Sequence, residues 1–229
     1  MNTAIILAAG KGTRMRAEFN KQYLLLKGKP IIAHTLDVFE RSPLIDEIIL
    51  VINKDDIALC KKNILKKFKF KKVVKIITGG AQRQDSVMNG LLHISQESKT
   101  VLIHDGARPL VTKEIIKRCI EGAEKFGAVS AGVPIKDTIK IMKDDGFVSF
   151  TPKRENVWIT QTPQGFKSEI IRKAHSFAAK ENLFGTDDAM LVEEMGIQVK
   201  MVEGDYENIK ITTPDDLITA EAILKHKRR

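Results

Sequence analysis

The clearest chemistry in the chain lies near its start, where Ala8-Ala9-Gly10-Lys11-Gly12-Thr13-Arg14-Met15-Arg16 is followed by Lys21. Glycines allow positive φ and bring backbone N–H groups close to an anion, and four cationic side chains stand within a few residues of one another. The apolar run Ala4 to Ala9 leads straight into this loop, as a buried strand would. Such an arrangement grips a polyphosphate. Two familiar phosphate loops are excluded by the letters: the third glycine of a dinucleotide turn is replaced by Met15, and the Gly-Lys pair of a Walker A loop is missing. Alone, a Gly-x-Gly after a strand also fits an ordinary tight turn, so the reading needs support from elsewhere.

That support comes from further blocks. Asn20-Lys21-Gln22-Tyr23, Gly79-Gly80-Ala81-Gln82-Arg83-Gln84-Asp85-Ser86-Val87, His104-Asp105-Gly106-Ala107-Arg108-Pro109, Asp137-Thr138-Ile139-Lys140, Thr162-Pro163-Gln164 and Asn208-Ile209-Lys210-Ile211-Thr212 follow in order along the chain. In type and spacing they resemble the signatures of the sugar-phosphate nucleotidylyltransferases, and among them the 2-C-methyl-D-erythritol 4-phosphate cytidylyltransferase family. The similarity spans nearly the whole chain. It implies transfer of CMP from CTP to a polyol phosphate with release of pyrophosphate, in non-mevalonate isoprenoid precursor synthesis.

This chemistry suits the residues. A phosphate oxygen is already a nucleophile and needs no general base, so the lack of a catalytic His or of paired carboxylates is expected. The obstacle is charge: an acceptor of about two negative charges meets a triphosphate of about four, with roughly 4 kcal/mol of repulsion per unit pair at about 4 Å and an effective dielectric near 20. Arg14 and Lys21, beside the triphosphate loop, are placed to stabilise the pentavalent α-phosphoryl group, and the resemblance gives them the same part. It also implies that Arg154 and Lys210 hold the polyol phosphate in line, with Thr138, Arg108 and Thr162 lining that pocket. Ala8, Ala9, Gly10, Gly12, Gly80, Ser86 and Gly106 would form the nucleotide site, the cytosine being read through backbone groups and the Ser86 hydroxyl. Relatives of this kind often carry Asp where this chain has Ala81, so backbone readout must suffice. Asp105, at a strand end, is the candidate metal ligand and also a nucleotide-site residue. Mg²⁺ keeps several waters and takes one or two carboxylates, so a single Asp is adequate.

The elements that must position these residues follow from periodicity. Apolar runs at 4–9, 48–52, 73–78, 101–104 and 128–133 alternate with helical patterns at 30–41, 55–68, 84–94 and 112–126. This predicts an α/β, Rossmann-like, mostly parallel sheet with helices on both faces. Ligands bind beyond the carboxyl ends of such strands, where the Gly10, Gly79-Gly80 and Asp105 turns all fall. A β-hairpin is expected where Lys143-Asp144-Asp145-Gly146 separates Asp137–Met142 from Phe147–Phe150. The resemblance makes this protruding ribbon, at about 136–157, the arm of a homodimer with composite active sites; an ordinary surface hairpin is the other reading. Helices at 167–181 and 187–195, a strand near 199–202 and a last helix opened by Thr213 complete a single domain over 1–229. Thr186-Asp187-Asp188 reads as a helix N-cap with dipole-compensating acids.

Composition sets the bounds. The 229 residues fit one α/β domain with a sizeable core. No run approaches the ~20 apolar residues of a membrane span, and the chain opens on a core strand rather than a signal peptide, so a cytoplasmic protein with no membrane partner is expected. Cys60 and Cys119 stand apart from each other and from any His pattern, and read as core thiols. The formal charge of +9 suits nucleic acid in principle, but the lysines of 61–72 interleave with Ile64, Leu65, Phe68 and Phe70 as a solvated helix face, and no nucleic-acid partner is expected. The five histidines show no ligand spacing and receive no role. Two other functions stay open. A ribitol-5-phosphate cytidylyltransferase would share the CTP loop, although Lys153-Arg154-Glu155-Asn156 and Trp158 favour the methylerythritol reading. A non-catalytic nucleotide- or RNA-binding protein would need exposed stacking positions, and one Trp and two Tyr offer few.

Overall fold

The computed structural model describes residues 1–10 and 21–226. In chain order it contains β1 (Asn2–Ala8), β2 (Leu25–Leu26), β3 (Lys29–Pro30), α1 (Ile31–Glu40), β4 (Glu47–Ile52) and α2 (Ile57–Cys60), which runs on into a π-helical stretch at Lys61–Lys66. Next come β5 (Val73–Thr78), α3 (Arg83–Leu91), β6 (Thr100–Asp105), α4 (Lys113–Phe126) and β7 (Ala128–Pro134). The last part holds β8 (Ile141–Met142), β9 (Val148–Phe150), β10 (Trp158–Lys167), α5 (Ser168–Glu181), α6 (Asp188–Glu193), β11 (Lys200–Glu203) and α7 (Pro214–His226).

Seven strands form one sheet in the order β11-β7-β10-β6-β1-β4-β5. All run parallel except β10, which pairs antiparallel with both β6 and β7. The alternation of side chains along β1 and β4 explains the two cores. Ala4, Ile6, Ala8, Ile48, Leu50 and Ile52 face α1, Cys60, Ile64 and α4, while Ile5, Ile49 and Val51 face α3, α5 and α6. Strands covered on both faces need apolar residues at every position, which is why these runs are unbroken. The lysines between 61 and 72 lie outward over Ile64, Leu65, Phe68 and Phe70, as the sequence predicts. Cys60 and Cys119 are both buried free thiols, and burial pushes their pKa values up to about 11 and about 12.

Strand β10 has no apolar run to announce it. It contains Gln161, Thr162, Pro163, Gln164 and Gly165, and its register against β7 shifts between Thr160 and Gln164. Proline cannot donate to a ladder and is tolerated at such an irregularity. Gly165 is required by packing, since a Cβ there would lie 2.7 Å from the Cys119 carbonyl oxygen. The strand matters because it inserts Thr162 beside the end of β6.

The hairpin of β8 and β9 forms as the Asp-Gly signal predicts, with Gly146 at φ +86° and Lys143 N–H bonded to the Phe147 carbonyl. Its root is closed by Ile135 N–H to the Val157 carbonyl at 3.0 Å. Beyond that root the ribbon stands away from the body: Phe147 is 71% exposed and Phe150 55%.

Candidate active site

Strand order reverses at β1: the chain moves outward through β4 and β5, then crosses back to place β6 on the other side. Beyond the carboxyl ends of these strands lies a cleft of about 710 Å³. Its lining includes Ala8, Ala9 and Gly10 after β1, Gly79, Gly80, Gln82, Arg83 and Ser86 from the β5–α3 turn, Asp105 at the end of β6, and Lys210. Segments remote in sequence are thus brought together as expected.

The turn at Gly79-Gly80 is shaped by packing as much as by any ligand. A Cβ on Gly79 would collide with the Ala9 side chain and lie 2.9 Å from Ser86 Oγ. Ser86 Oγ accepts from Gly80 N–H at 3.0 Å and donates to the Gln82 carbonyl at 3.0 Å, so this hydroxyl braces the turn. Asp85 accepts from Gln82 N–H at 2.9 Å and caps α3, whose positive end faces the cleft.

Asp105 is the electrostatic centre. Its carboxylate lies 2.7 Å from Lys210 Nζ, 3.6 Å from Arg83 Nε and 3.9 Å from Arg108 Nε. Burial alone would raise its pKa, but Lys210, Arg83 and Arg108 outweigh burial and hold it well below the usual carboxylate range. Asp188 lies 2.7 Å from Arg83 Nη2 on the far side, and among the described residues the charged ones that line the cleft itself are Lys54, Arg83 and Lys210 against Asp105, a positive excess for an anion.

Neutral groups hold this centre in place. Thr162 Oγ1 accepts from Asp105 N–H at 3.0 Å and lies 3.0 Å from His104 Nδ1, while His104 Nε2 lies 3.2 Å from the Arg108 carbonyl. With its oxygen accepting from Asp105, the threonine hydroxyl donates to Nδ1, leaving the His104 proton on Nε2. Burial lowers the His104 pKa to about 4 and keeps the ring neutral. Arg108 donates from Nη1 to the Asn208 carbonyl at 2.7 Å, and Asn208 donates to the Thr162 carbonyl at 2.9 Å. Ile211 N–H bonds the Ala107 carbonyl at 2.9 Å, fixing Lys210 over Asp105. Thr162 and Arg108 therefore sit one layer behind the lining, positioning Asp105 and the 208–211 segment. Gly106 packs there too, its N–H bonded to the Leu7 carbonyl at 2.8 Å.

The arm residues fall elsewhere. Thr138 and Arg154 do not line the cleft of their own chain; Arg154 Nη1 donates to the Lys136 carbonyl at 3.1 Å near the arm root. Gly12 and Arg14 lie outside the described residues, as does the side chain of Lys21. Its neighbour Gln22 is a residue that sequence reasoning passed over: buried, it donates from Nε2 to the carbonyls of Ala8 and Gly10, tying residue 22 to the end of β1. Nothing in its polarity marks it, because a glutamine satisfying two backbone carbonyls looks in sequence like any surface glutamine.

As to a metal, the described residues hold no group of three or more His, Cys, Asp or Glu able to bind one. Asp105 lines the cleft but is already paired with cations. One lining carboxylate is compatible with Mg²⁺, which takes one or two protein carboxylates and keeps several waters.

The family model for 2-C-methyl-D-erythritol 4-phosphate cytidylyltransferase matches residues 2–226 of this chain. The chain belongs to that family. A relative from Clostridium acetobutylicum bearing the family's name is 52% identical over 225 residues, covering 98% of both chains. Another, from Geobacter metallireducens, is 51% identical over 227 residues, covering 98% of this chain and 97% of its own. Among solved structures, the 4-diphosphocytidyl-2C-methyl-D-erythritol synthase of Anaerococcus prevotii superposes with a TM-score of 0.88 at 39% identity, over 98% of this chain and 96% of that one. The Thermus thermophilus cytidylyltransferase gives 0.78 at 31% identity, over 96% and 98%. The family is thus the methylerythritol phosphate one, which the Lys153–Asn156 block favours over the ribitol phosphate alternative.

Proposed function

We infer that this chain transfers CMP from CTP to 2-C-methyl-D-erythritol 4-phosphate, giving 4-diphosphocytidyl-2-C-methyl-D-erythritol and pyrophosphate in non-mevalonate isoprenoid precursor synthesis. The observation that carries the reading is the convergence of the Ala8–Gly10, Gly79–Arg83, Asp105 and Lys210 segments on one cationic cleft at the reversal of strand order. An acceptor phosphate oxygen bonds to the α-phosphorus as the bond to the β-phosphate oxygen breaks, and pyrophosphate leaves. No proton has to be removed from an ionised phosphate.

The nucleotide lies against Ala8, Ala9, Gly10, Gly12 and Gly80, and Arg14 and Lys21 act on the transferring phosphoryl group. Arg14 can fork two oxygens, whereas Lys21 is a movable point charge. Lys210, with Arg154 from a second subunit, holds the acceptor phosphate. When bound, Mg²⁺ would neutralise phosphate charge, and Asp105 is the carboxylate that would hold it or a water of its shell. The homodimer reading rests on the arm: a two-stranded ribbon with Ile141, Met142, Phe147, Val148 and Phe150 all exposed needs a surface to cover it. Cytoplasmic residence is supported by the two unpaired thiols and by the absence, among the described residues, of a helix long and apolar enough to cross a membrane.

The deciding experiment measures pyrophosphate release with Mg²⁺ and CTP, run in parallel with 2-C-methyl-D-erythritol 4-phosphate and D-ribitol 5-phosphate. Release with the first acceptor alone is expected. Release with the second alone would reassign the polyol pocket, and no release with either would overturn the catalytic reading.

A further inference from the structure

Behind Asp105 runs a chain of buried charge that the reaction, as described so far, does not use. Arg83, at the start of α3, spans two carboxylates: its Nε lies 3.6 Å from Asp105 Oδ1 and its Nη2 2.7 Å from Asp188 Oδ2. The other oxygen of Asp188 is 3.1 Å from His175 Nε2, on α5. Asp188 is 1% exposed and His175 2%, and Asp188 N–H is bound to Gln164 Oε1 of β10 at 3.1 Å. Packing α3 against α5 and α6 does not require charge. Apolar residues of similar size would serve as well or better, because ion pairs pay for desolvation when buried. A buried ionic chain whose outer end is the cleft's own acid invites a role in the chemistry.

The geometry points to that role. Lys210 is held by Asp105 at 2.7 Å, yet to hold the acceptor phosphate it must share that carboxylate or leave it. When it does, Asp105 loses its nearest protein cation, whatever charge the nucleotide's own ion would add. Arg108 is poorly placed, with Nε 3.9 Å away and Nη1 committed to the Asn208 carbonyl. Arg83 is already in position. We propose that Arg83 is a positioning residue that keeps Asp105 compensated while Lys210 turns to the acceptor phosphate, and that Asp188, steadied by His175, fixes Arg83 for this task. Without Arg83, Lys210, already the nearest counter-ion of Asp105, is held there more tightly and is drawn back from the substrate. The inference rests on Lys210 as the acceptor-phosphate residue.

Steady-state kinetics of Arg83→Gln separate this role from a purely structural one. The KM for 2-C-methyl-D-erythritol 4-phosphate rises about tenfold, well beyond the smaller rise in the KM for CTP that follows from removing a cation of the cleft lining. Because Arg83→Gln strips Asp188 of its partner and weakens the fold, the double variant Arg83→Gln/Asp188→Asn is measured beside it. Its melting temperature recovers and the acceptor KM stays high. Arg83→Lys, which keeps the charge but reaches one carboxylate at a time, regains part of the acceptor affinity. A return of the acceptor KM to wild type in the double variant, or equal rises in both KM values, overturns the proposal. Lys210→Ala serves as the control. If it raises the acceptor KM and Arg83→Gln does not, the inference alone fails; if Lys210→Ala leaves that KM unchanged, the reading of Lys210 fails and takes the inference with it.

Discussion

The cleft and the arm both carry charged side chains, and they hold them by opposite means. In the cleft, Asp105, Arg83, Arg108 and Asp188 are largely buried, and each is tied to elements from distant parts of the chain. On the arm, Arg154 donates to the Lys136 carbonyl of the same arm, and the β8–β9 ribbon exposes apolar side chains. A buried polar network is rigid because every member is costly to leave unpaired. A two-stranded ribbon has almost no such constraint and takes its order from whatever it packs on. One chain can therefore build its cleft alone, whereas its arm, on the homodimer reading proposed above, takes its order from a second copy.

The strongest way to break that contrast is to mix inactive subunits. Arg14→Ala and Arg154→Ala each lower turnover about a hundredfold or more as homodimers. In an equimolar mixture half of the dimers are hybrids, and each hybrid has one intact site if arms cross, so activity returns to about a quarter of wild type. Activity that stays at the level of the parents in verified hybrids would mean that the arm serves its own chain. Next in size is a stability comparison by urea unfolding. Asp188→Ala leaves Arg83 and His175 without their buried partner and costs about 3–5 kcal/mol. Phe147→Ser on the exposed arm changes the stability of the folded chain by less than about 0.5 kcal/mol, while shifting the monomer–dimer equilibrium seen by analytical ultracentrifugation. Similar losses in both variants would erase the distinction between the two regions.

A third test concerns pH. Burial lowers the His104 pKa to about 4, below the value near 6.5 of an unfolded histidine, so the unfolded chain binds the extra proton first. Stability is full above about 6.5 and falls by up to about 3 kcal/mol as the pH drops towards 4. His104→Gln should flatten that slope. Asp105 acts at lower pH and in its own window: its depressed pKa contributes stability above the ordinary carboxylate value, lost only as acid protonates the folded group. A His104→Gln profile as steep as wild type would assign the acid sensitivity to other groups.

What the sequence revealed depended on how local the cause was. Strands β1, β4, β6 and β7 are announced by apolar runs, because burial on both faces demands them, the half-exposed edge strand β5 by its β-branched residues, and the hairpin by its Asp-Gly pair. Strand β10 was missed because its residues are chosen by neighbours: Gly165 by the Cys119 carbonyl, Gln164 by Ser130 and Asp187, Thr162 by Asp105 and His104. The pair Asp187-Asp188 divides the same way. Asp187 caps α6 by accepting from Met190 N–H at 2.9 Å, as its position before a helix predicts. Asp188 is instead a buried counter-ion, which only the arrival of α3 and α5 makes necessary. Likewise Lys210 and Asp105 were legible as charged residues in a cationic site, but not as a 2.7 Å pair.

The antiparallel strand also sets the order in which the chain can be finished during synthesis. β10 lies between β6 and β7 but follows both in sequence, with the whole arm made before it. Until residue 167 leaves the ribosome, the inner edges of β6 and β7 have no partner, and an open edge of apolar strand is a template for pairing with other chains. Thr162, which braces Asp105, arrives with the same strand. A chain cut short between β7 and β10 would thus keep β1 paired with β6 but leave the acid at the end of β6 without its Thr162 brace, and would expose its stickiest surface while doing so.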